Sequence, residues 1–81
     1  MKEFDKRIGS ILREIRNEKG FSQDYVAELI GVSKMQVSYW ETGKRAIYAE
    51  RLKQYCRALG VTAQSVFDQM DEEEKNEEHS N

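Results

Sequence analysis

VAELIGVSKMQVSYWE, residues Val26–Glu41, carries a helical pattern that stops at Gly31 and restarts at Ser33. Two short helices joined by a tight corner build little core on their own. They do let one helix brace the other and hold it out toward a partner. Ala27 is small enough for the steep crossing of two helices. Gly31 can take the left-handed conformation that turns the chain in one step. Val26, Ile30, Val32, Val37 and Trp40 then point toward a shared core, as in a helix-turn-helix.

Outward from this stretch the same punctuation recurs. Ile8, Leu12 and Ile15 share one face of a first helix, expected over about 5–19, with Gly20 to end it. Ser22 suits the N-cap of a second helix and Ser33 that of a third, which Gly43 stops. A fourth helix is expected over about 48–59, with Ala49, Leu52, Tyr55, Cys56 and Leu59 inward. Gly60 closes it, and Thr62 caps a short fifth helix bearing Val66, Phe67 and Met70. The expected fold class is all-α: a compact five-helix bundle over residues 1–70, without a second domain or a repeat. Residues 71–81, DEEEKNEEHSN, have no apolar residue and are expected to form an acidic, disordered tail.

Composition narrows the function. The 81 residues allow one domain with a modest core. No apolar run is long enough to span a membrane, and the charged start lacks the pattern of a signal peptide, so a cytoplasmic protein without a membrane partner is expected. The lone cysteine, Cys56, permits no internal disulfide or multi-cysteine metal site and reads as a core residue. The only histidine, His79, lies in the acidic tail. With no phosphate-binding glycine loop and no nucleophile near a base in sequence, no catalytic residue, cofactor or metal is expected, and an enzyme has little support. The net charge of −2 hides a segregation: residues 1–67 carry +4 and residues 68–81 carry −6. A mildly basic body suits an anionic partner. The tail is either a solubilising end or a screen that weakens non-specific binding to that partner.

The third helix supplies the sharper signal. Val37 and Trp40 mark its buried side. Ser33, Lys34 and Gln36 lie in its first turn, and Met35, Ser38, Tyr39 and Thr42 lie wholly or partly opposite the core. This face offers hydroxyl, ammonium, amide and aromatic groups but no carboxylate, in a chain rich in Asp and Glu. A surface that meets DNA excludes negative charge; an ordinary solvated face would show this only by accident. Glu41 is set apart, at about 40° from Val37 and hence near the core side. Arg16 lies on the inward edge of the first helix. Because an isolated buried charge is costly, an Arg16–Glu41 salt bridge is expected, orienting the presented helix.

RNEKGFSQDYVAELIGVSKMQVSYWETGKR resembles the lambda-repressor and Cro-like helix-turn-helix family of bacterial and phage regulators. The match rests on Arg16, Ser22–Gln23, Ala27, Gly31, Val37, Trp40 and Glu41-Thr42-Gly43-Lys44, continues through RALGVTAQSVF, and covers about residues 6–69. The resemblance implies a transcription regulator, a repressor, that binds double-stranded DNA as a homodimer on a palindromic operator. It implies that Gln23 contacts a phosphate. Ser33, Lys34, Met35, Ser38 and Tyr39 match positions facing base edges or the adjoining backbone, Gln36 a flanking position that reaches phosphate, and Lys44 and Arg45 backbone contacts. Lys34 could donate to guanine O6 and N7. Met35 and Tyr39 could meet a thymine methyl, and Tyr39 could instead donate to phosphate or be a packed surface aromatic. Dimer contacts are expected near the join of the last two helices, at Thr62, Ala63, Val66, Phe67 and Met70. The family's separate C-terminal effector or self-cleavage domain would not fit in a chain of this length.

Ile11 and Leu29 depart from the pattern as apolar residues at positions expected to be polar, and Ile47-Tyr48 replaces the common Pro-Ser before the fourth helix. They are either scattered surface apolars or part of a partner surface. The second reading is therefore a protein-interaction module on the same fold, an antitoxin-like or developmental-switch partner.

Overall fold

The computed structural model describes residues 2–79, with side chains described through residue 76. The expectations for the His79 side chain and for residues 80 and 81 lie outside the described residues. Five helices and no strand occur among these: α1 (Glu3–Glu18), α2 (Gln23–Ile30), α3 (Lys34–Thr42), α4 (Ala49–Leu59) and α5 (Ala63–His79).

The caps act where the hydroxyls stand. Ser22 accepts from the Tyr25 N–H at 3.0 Å, Ser33 from Gln36 at 3.1 Å and Thr62 from Ser65 at 3.1 Å. Each satisfies one of the orphan donors at its helix start. Tyr48 precedes α4 and supplies no side-chain cap. Gly31 closes α2 with φ +85°, and the N–H groups of Gly31 and Val32 both return to the Ala27 carbonyl at 2.8 and 3.0 Å. A residue with a Cβ would be strained at that φ, so the corner depends on glycine.

All five helices contribute to one core. Ile8, Ile11 and Leu12 enter from α1, Val26 and Ala27 from α2, and Val37 and Trp40 from α3. Leu52, Tyr55, Cys56 and Leu59 enter from α4, and Val66 and Met70 from α5. Ile30 and Val32 pack against it half-buried. Trp40 and Tyr55 meet edge to face at 6.4 Å, a favoured aromatic geometry.

The structure corrects four expectations. Ile11 is a fully buried core residue rather than a surface apolar, because with Ile8, Leu12 and Ile15 it widens the apolar stripe that a helix packed on several neighbours requires. Ala49 is exposed, since the first turn of α4 projects past the core. Val66 and Met70 are consumed by the chain's own core at 0% and 4% exposure, so neither is available as a dimer contact. Finally, α5 does not stop near Met70 but runs to His79. Its first half is anchored by Val66 and Met70, and Glu and Lys are good helix formers that extend an existing helix at little cost.

Candidate nucleic-acid interface

The placement of α3 begins at its C-terminal end, where α1 comes unusually close. Gly9, inside α1, is buried against the last turn of α3. A Cβ there would stand 2.6 Å from the Glu41 carbonyl oxygen and closer still to that of Trp40. Gly43 faces the same helix, and a Cβ there would meet the Lys6 Cα at 2.8 Å. Two missing side chains thus let two backbones touch. Gly9 is a packing position that sets α3 against α1, and the apolar spacing of the sequence does not single it out. A lone glycine inside a well-formed amphipathic helix is the signal, since it weakens the helix by about 0.5–1 kcal/mol unless close packing requires it.

Beside this contact Glu41 is buried and receives four donors. Arg16 gives Nε to Oε2 at 2.7 Å and Nη2 to Oε1 at 3.0 Å. Gln23 Nε2 reaches Oε1 at 3.0 Å, and the Tyr55 hydroxyl donates to Oε2. Arg16 Nη1 also donates to the Phe21 carbonyl at 2.7 Å. Burial alone would raise the Glu41 pKa, but the bonds from Arg16, Tyr55 and Gln23 outweigh it and hold the carboxyl below its ordinary range. The bond to Glu41 lifts the Arg16 guanidinium above its usual value against the opposing effect of burial. Burial pushes the Tyr55 phenol up, and the neighbouring carboxylate adds to the shift. One carboxylate therefore joins α1, α2, α3 and α4. Tyr55 was legible only as a core residue, because a buried hydroxyl leaves no trace in apolar spacing.

Gln23 sits at the first position of α2, half-buried, with its amide NH2 already engaged by Glu41. Ser33 is exposed but uses its hydroxyl as the cap of α3. Lys34 and Met35 project into solvent, Met35 at 62% exposure. Ser38 and Tyr39 are half-buried on the same helix. The face is not wholly free of acid: Asp24 of α2 lies 3.9 Å from the Lys34 ammonium. Both side chains are largely exposed, and a surface pair of this kind contributes little, so Lys34 is easily released to a stronger anion.

A groove of about 300 Å3 opens beside α3, lined by Gln36, Trp40, Arg45, Ala46, Tyr48 and Arg51. It holds two guanidinium groups and no carboxylate. Arg51, from the first turn of α4, and Tyr48 join Gln36 and Arg45 there; sequence reasoning passed over Arg51 and read Tyr48 only as a surface apolar or part of a partner surface. Their signal was positional: basic and phenolic groups directly after a basic loop. Lys44 and Arg45 are exposed in that loop, over the ring of Tyr39. On the α2–α4 side, Leu29 is 53% exposed beside a second groove of about 390 Å3 that Ile30, Gln54, Arg57 and Ala58 also line. Among the described residues no cluster of His, Cys, Asp and Glu is arranged to hold a metal ion, and no helix is long and apolar enough to cross a membrane.

Comparison with known proteins agrees with this geometry. The chain is 33% identical over 76 residues to an uncharacterized HTH-type transcriptional regulator, y4wC, of Sinorhizobium fredii, a match covering 94% of this chain and 53% of that protein. The chain thus spans about half the length of this curated relative. Among solved structures it resembles the clp gene regulator ClgR from C. glutamicum, with a TM-score of 0.79 and 30% identity over 83% of this chain and 87% of that one. It also resembles the restriction-modification controller protein C.AhdI from Aeromonas hydrophila, with a TM-score of 0.77 and 28% identity over 80% and 98%. The helix-turn-helix family model matches residues 12–66, the span from the core of α1 to the core of α5. With its corner at Gly31, its braced α3 and that match, the chain belongs to the lambda-repressor and Cro-like helix-turn-helix family of DNA-binding transcription regulators.

Proposed function

We propose that the chain is a sequence-specific double-stranded DNA-binding regulator, acting as a repressor, that lays α3 in the major groove. One observation carries this reading: the exposed side of α3 presents Lys34, Met35, Ser38 and Tyr39 without an acid of its own, and Lys44, Arg45 and Arg51 flank it. Lys34 and Met35 would meet base edges, with Ser38 between them and the backbone. Gln23, Gln36, Lys44, Arg45 and Arg51 would hold the phosphates, and Gln23 would do so through the amide hydrogen that Glu41 leaves free. Occupying an operator is enough to exclude a competing protein, which is why repression is the proposed direction. One recognition helix makes a small interface, so a homodimer on a two-fold operator, with half-sites about 34 Å apart, is proposed. Thr62, Ala63 and Phe67 remain from the expected dimer surface. A cytoplasmic location goes with this reading.

Selection of bound duplexes from a random pool tests it. The expected product is a two-fold symmetric site whose affinity falls steeply with salt. Recovery of no enriched sequence would overturn it. A protein-interaction module is the second reading, favoured by Leu29 and its groove, where Arg57 offers a charge to an apolar segment bearing a carboxylate. It predicts weak duplex binding that Lys34 and Lys44 substitutions barely change.

A further inference from the structure

Two cations converge on one aromatic ring at the end of the recognition helix. The Lys44 ammonium lies 4.8 Å from the centroid of Tyr39, and the Arg45 guanidinium carbon lies 5.4 Å from it. The backbone adds a third tie, because the Arg45 N–H donates to the Tyr39 carbonyl at 3.2 Å. The loop after α3 is therefore folded back onto the helix rather than left to sample solvent. Long basic side chains lose rotamer freedom when they bind, and a ring that holds them beforehand removes part of that cost.

The arrangement also carries a Coulomb penalty. Two like charges flank one ring, at 4.8 and 5.4 Å from its centroid, and among the described residues neither is paired with a carboxylate. The negative face of the ring offsets some of the repulsion. A polyanion offsets the remainder, and Arg45 also lines the carboxylate-free groove that Arg51 and Tyr48 share.

We propose that Tyr39 is a positioning residue: its ring holds Lys44 and Arg45 together as a single two-cation contact for the DNA backbone. This rests on the DNA-binding reading above. Tyr39 acts through its neighbours' charges, so the ring matters and the hydroxyl does not.

The test uses the full chain and a duplex recovered by selection, with affinity measured across a salt series for the unmodified chain, Tyr39→Phe, Tyr39→Leu, and Lys44→Ala/Arg45→Ala with and without Tyr39→Leu. Each backbone contact contributes about 0.9 to the slope of log affinity against log salt. Tyr39→Leu should lower that slope by up to about 1.8 without altering the selected sequence. Tyr39→Phe should keep both slope and affinity. Adding Tyr39→Leu to the double alanine variant should change little further. A slope unchanged in Tyr39→Leu, a shifted base preference in Tyr39→Phe, or additive losses in the triple variant would each overturn the proposal while leaving the DNA-binding reading intact. Absence of duplex binding by the unmodified chain would instead remove the reading beneath it.

Discussion

Gly9 faces the carbonyl oxygen of Trp40 with no room for a Cβ between them, so that α1 lies against the last turn of α3 with no side chain interposed at this point. In an ordinary helix interior, Gly→Ala stabilises by about 0.5–1 kcal/mol. At Gly9 the added methyl would meet backbone oxygens on both Trp40 and Glu41, which cannot swing aside. Gly9→Ala should therefore destabilise, by about 1–3 kcal/mol as for other overpacked sites. Urea unfolding measures it, and an equal or higher midpoint would show that the helices separate freely.

Arg16→Met should be far more damaging than its single charge suggests. It strands the buried Glu41 carboxylate, whose Arg16 partner lies at 2.7 Å, and breaking such a pair costs about 3–5 kcal/mol. Adding Glu41→Leu should recover part of the loss, because no buried charge is then left alone. Recovery stays partial, since the Tyr55 hydroxyl and the Gln23 amide also lose their acceptor. Chemical denaturation of the three variants distinguishes this from simple additivity.

The same carboxylate sets an acid limit. Its folded pKa lies below the ordinary value, so near pH 4 the unfolded chain binds more protons. Its contribution to stability is present above the ordinary carboxylate range and is lost as pH falls through the folded value. Tyr55 has the opposite sign: its raised phenol contributes stability below about pH 10 and loses it as pH rises further. Glu41→Gln should flatten the acid side of a stability–pH profile and lower its plateau. A profile with the same acid slope would place the titration on another group.

Lys34 and Lys44 should fail differently. Lys34→Ala should relax the base preference at one position and cost about 1–3 kcal/mol on the selected site. Lys44→Ala should weaken all duplexes alike and lower the salt slope by about 0.9. Selection repeated with each variant, alongside a salt series, separates the two roles.

Phe67→Glu should weaken self-association at little cost in folding, because this ring is 37% exposed. Met70→Glu should unfold the chain, since its side chain is buried. Sedimentation and circular dichroism of both variants report the difference. A self-association unchanged in Phe67→Glu would move the dimer contact elsewhere.

Features tied to local chemistry were readable before any coordinates. Ser22, Ser33 and Thr62 announce helix starts because their hydroxyls compete for orphan N–H groups, and Gly31 announces the corner because few residues tolerate its φ. Even the long-range meeting of Arg16 and Glu41 follows from the cost of burying either alone. Features fixed by tertiary approach were not readable. Gly9 looks like a weak point until α3 is laid across it, and Tyr55 shows only its apolar body. Ile11 breaks a two-sided pattern because α1 packs on three neighbours, α3, α4 and α5. The helix through residues 71–79 is hidden by composition, which reports what a segment can bury and not whether it extends a helix already anchored.

A carboxylate on α3 held by donors from three other helices also governs how the chain can come apart. Releasing α1, α2 or α4 would leave Glu41 buried without part of its shell, so none of them has an inexpensive way to detach first. Amide hydrogens in the last turns of α3, around Trp40 and Glu41, should then exchange only through global opening, with protection equal to the full unfolding free energy. The helix offered to DNA would belong to the most rigid part of the molecule, and partial melting could not serve to regulate it.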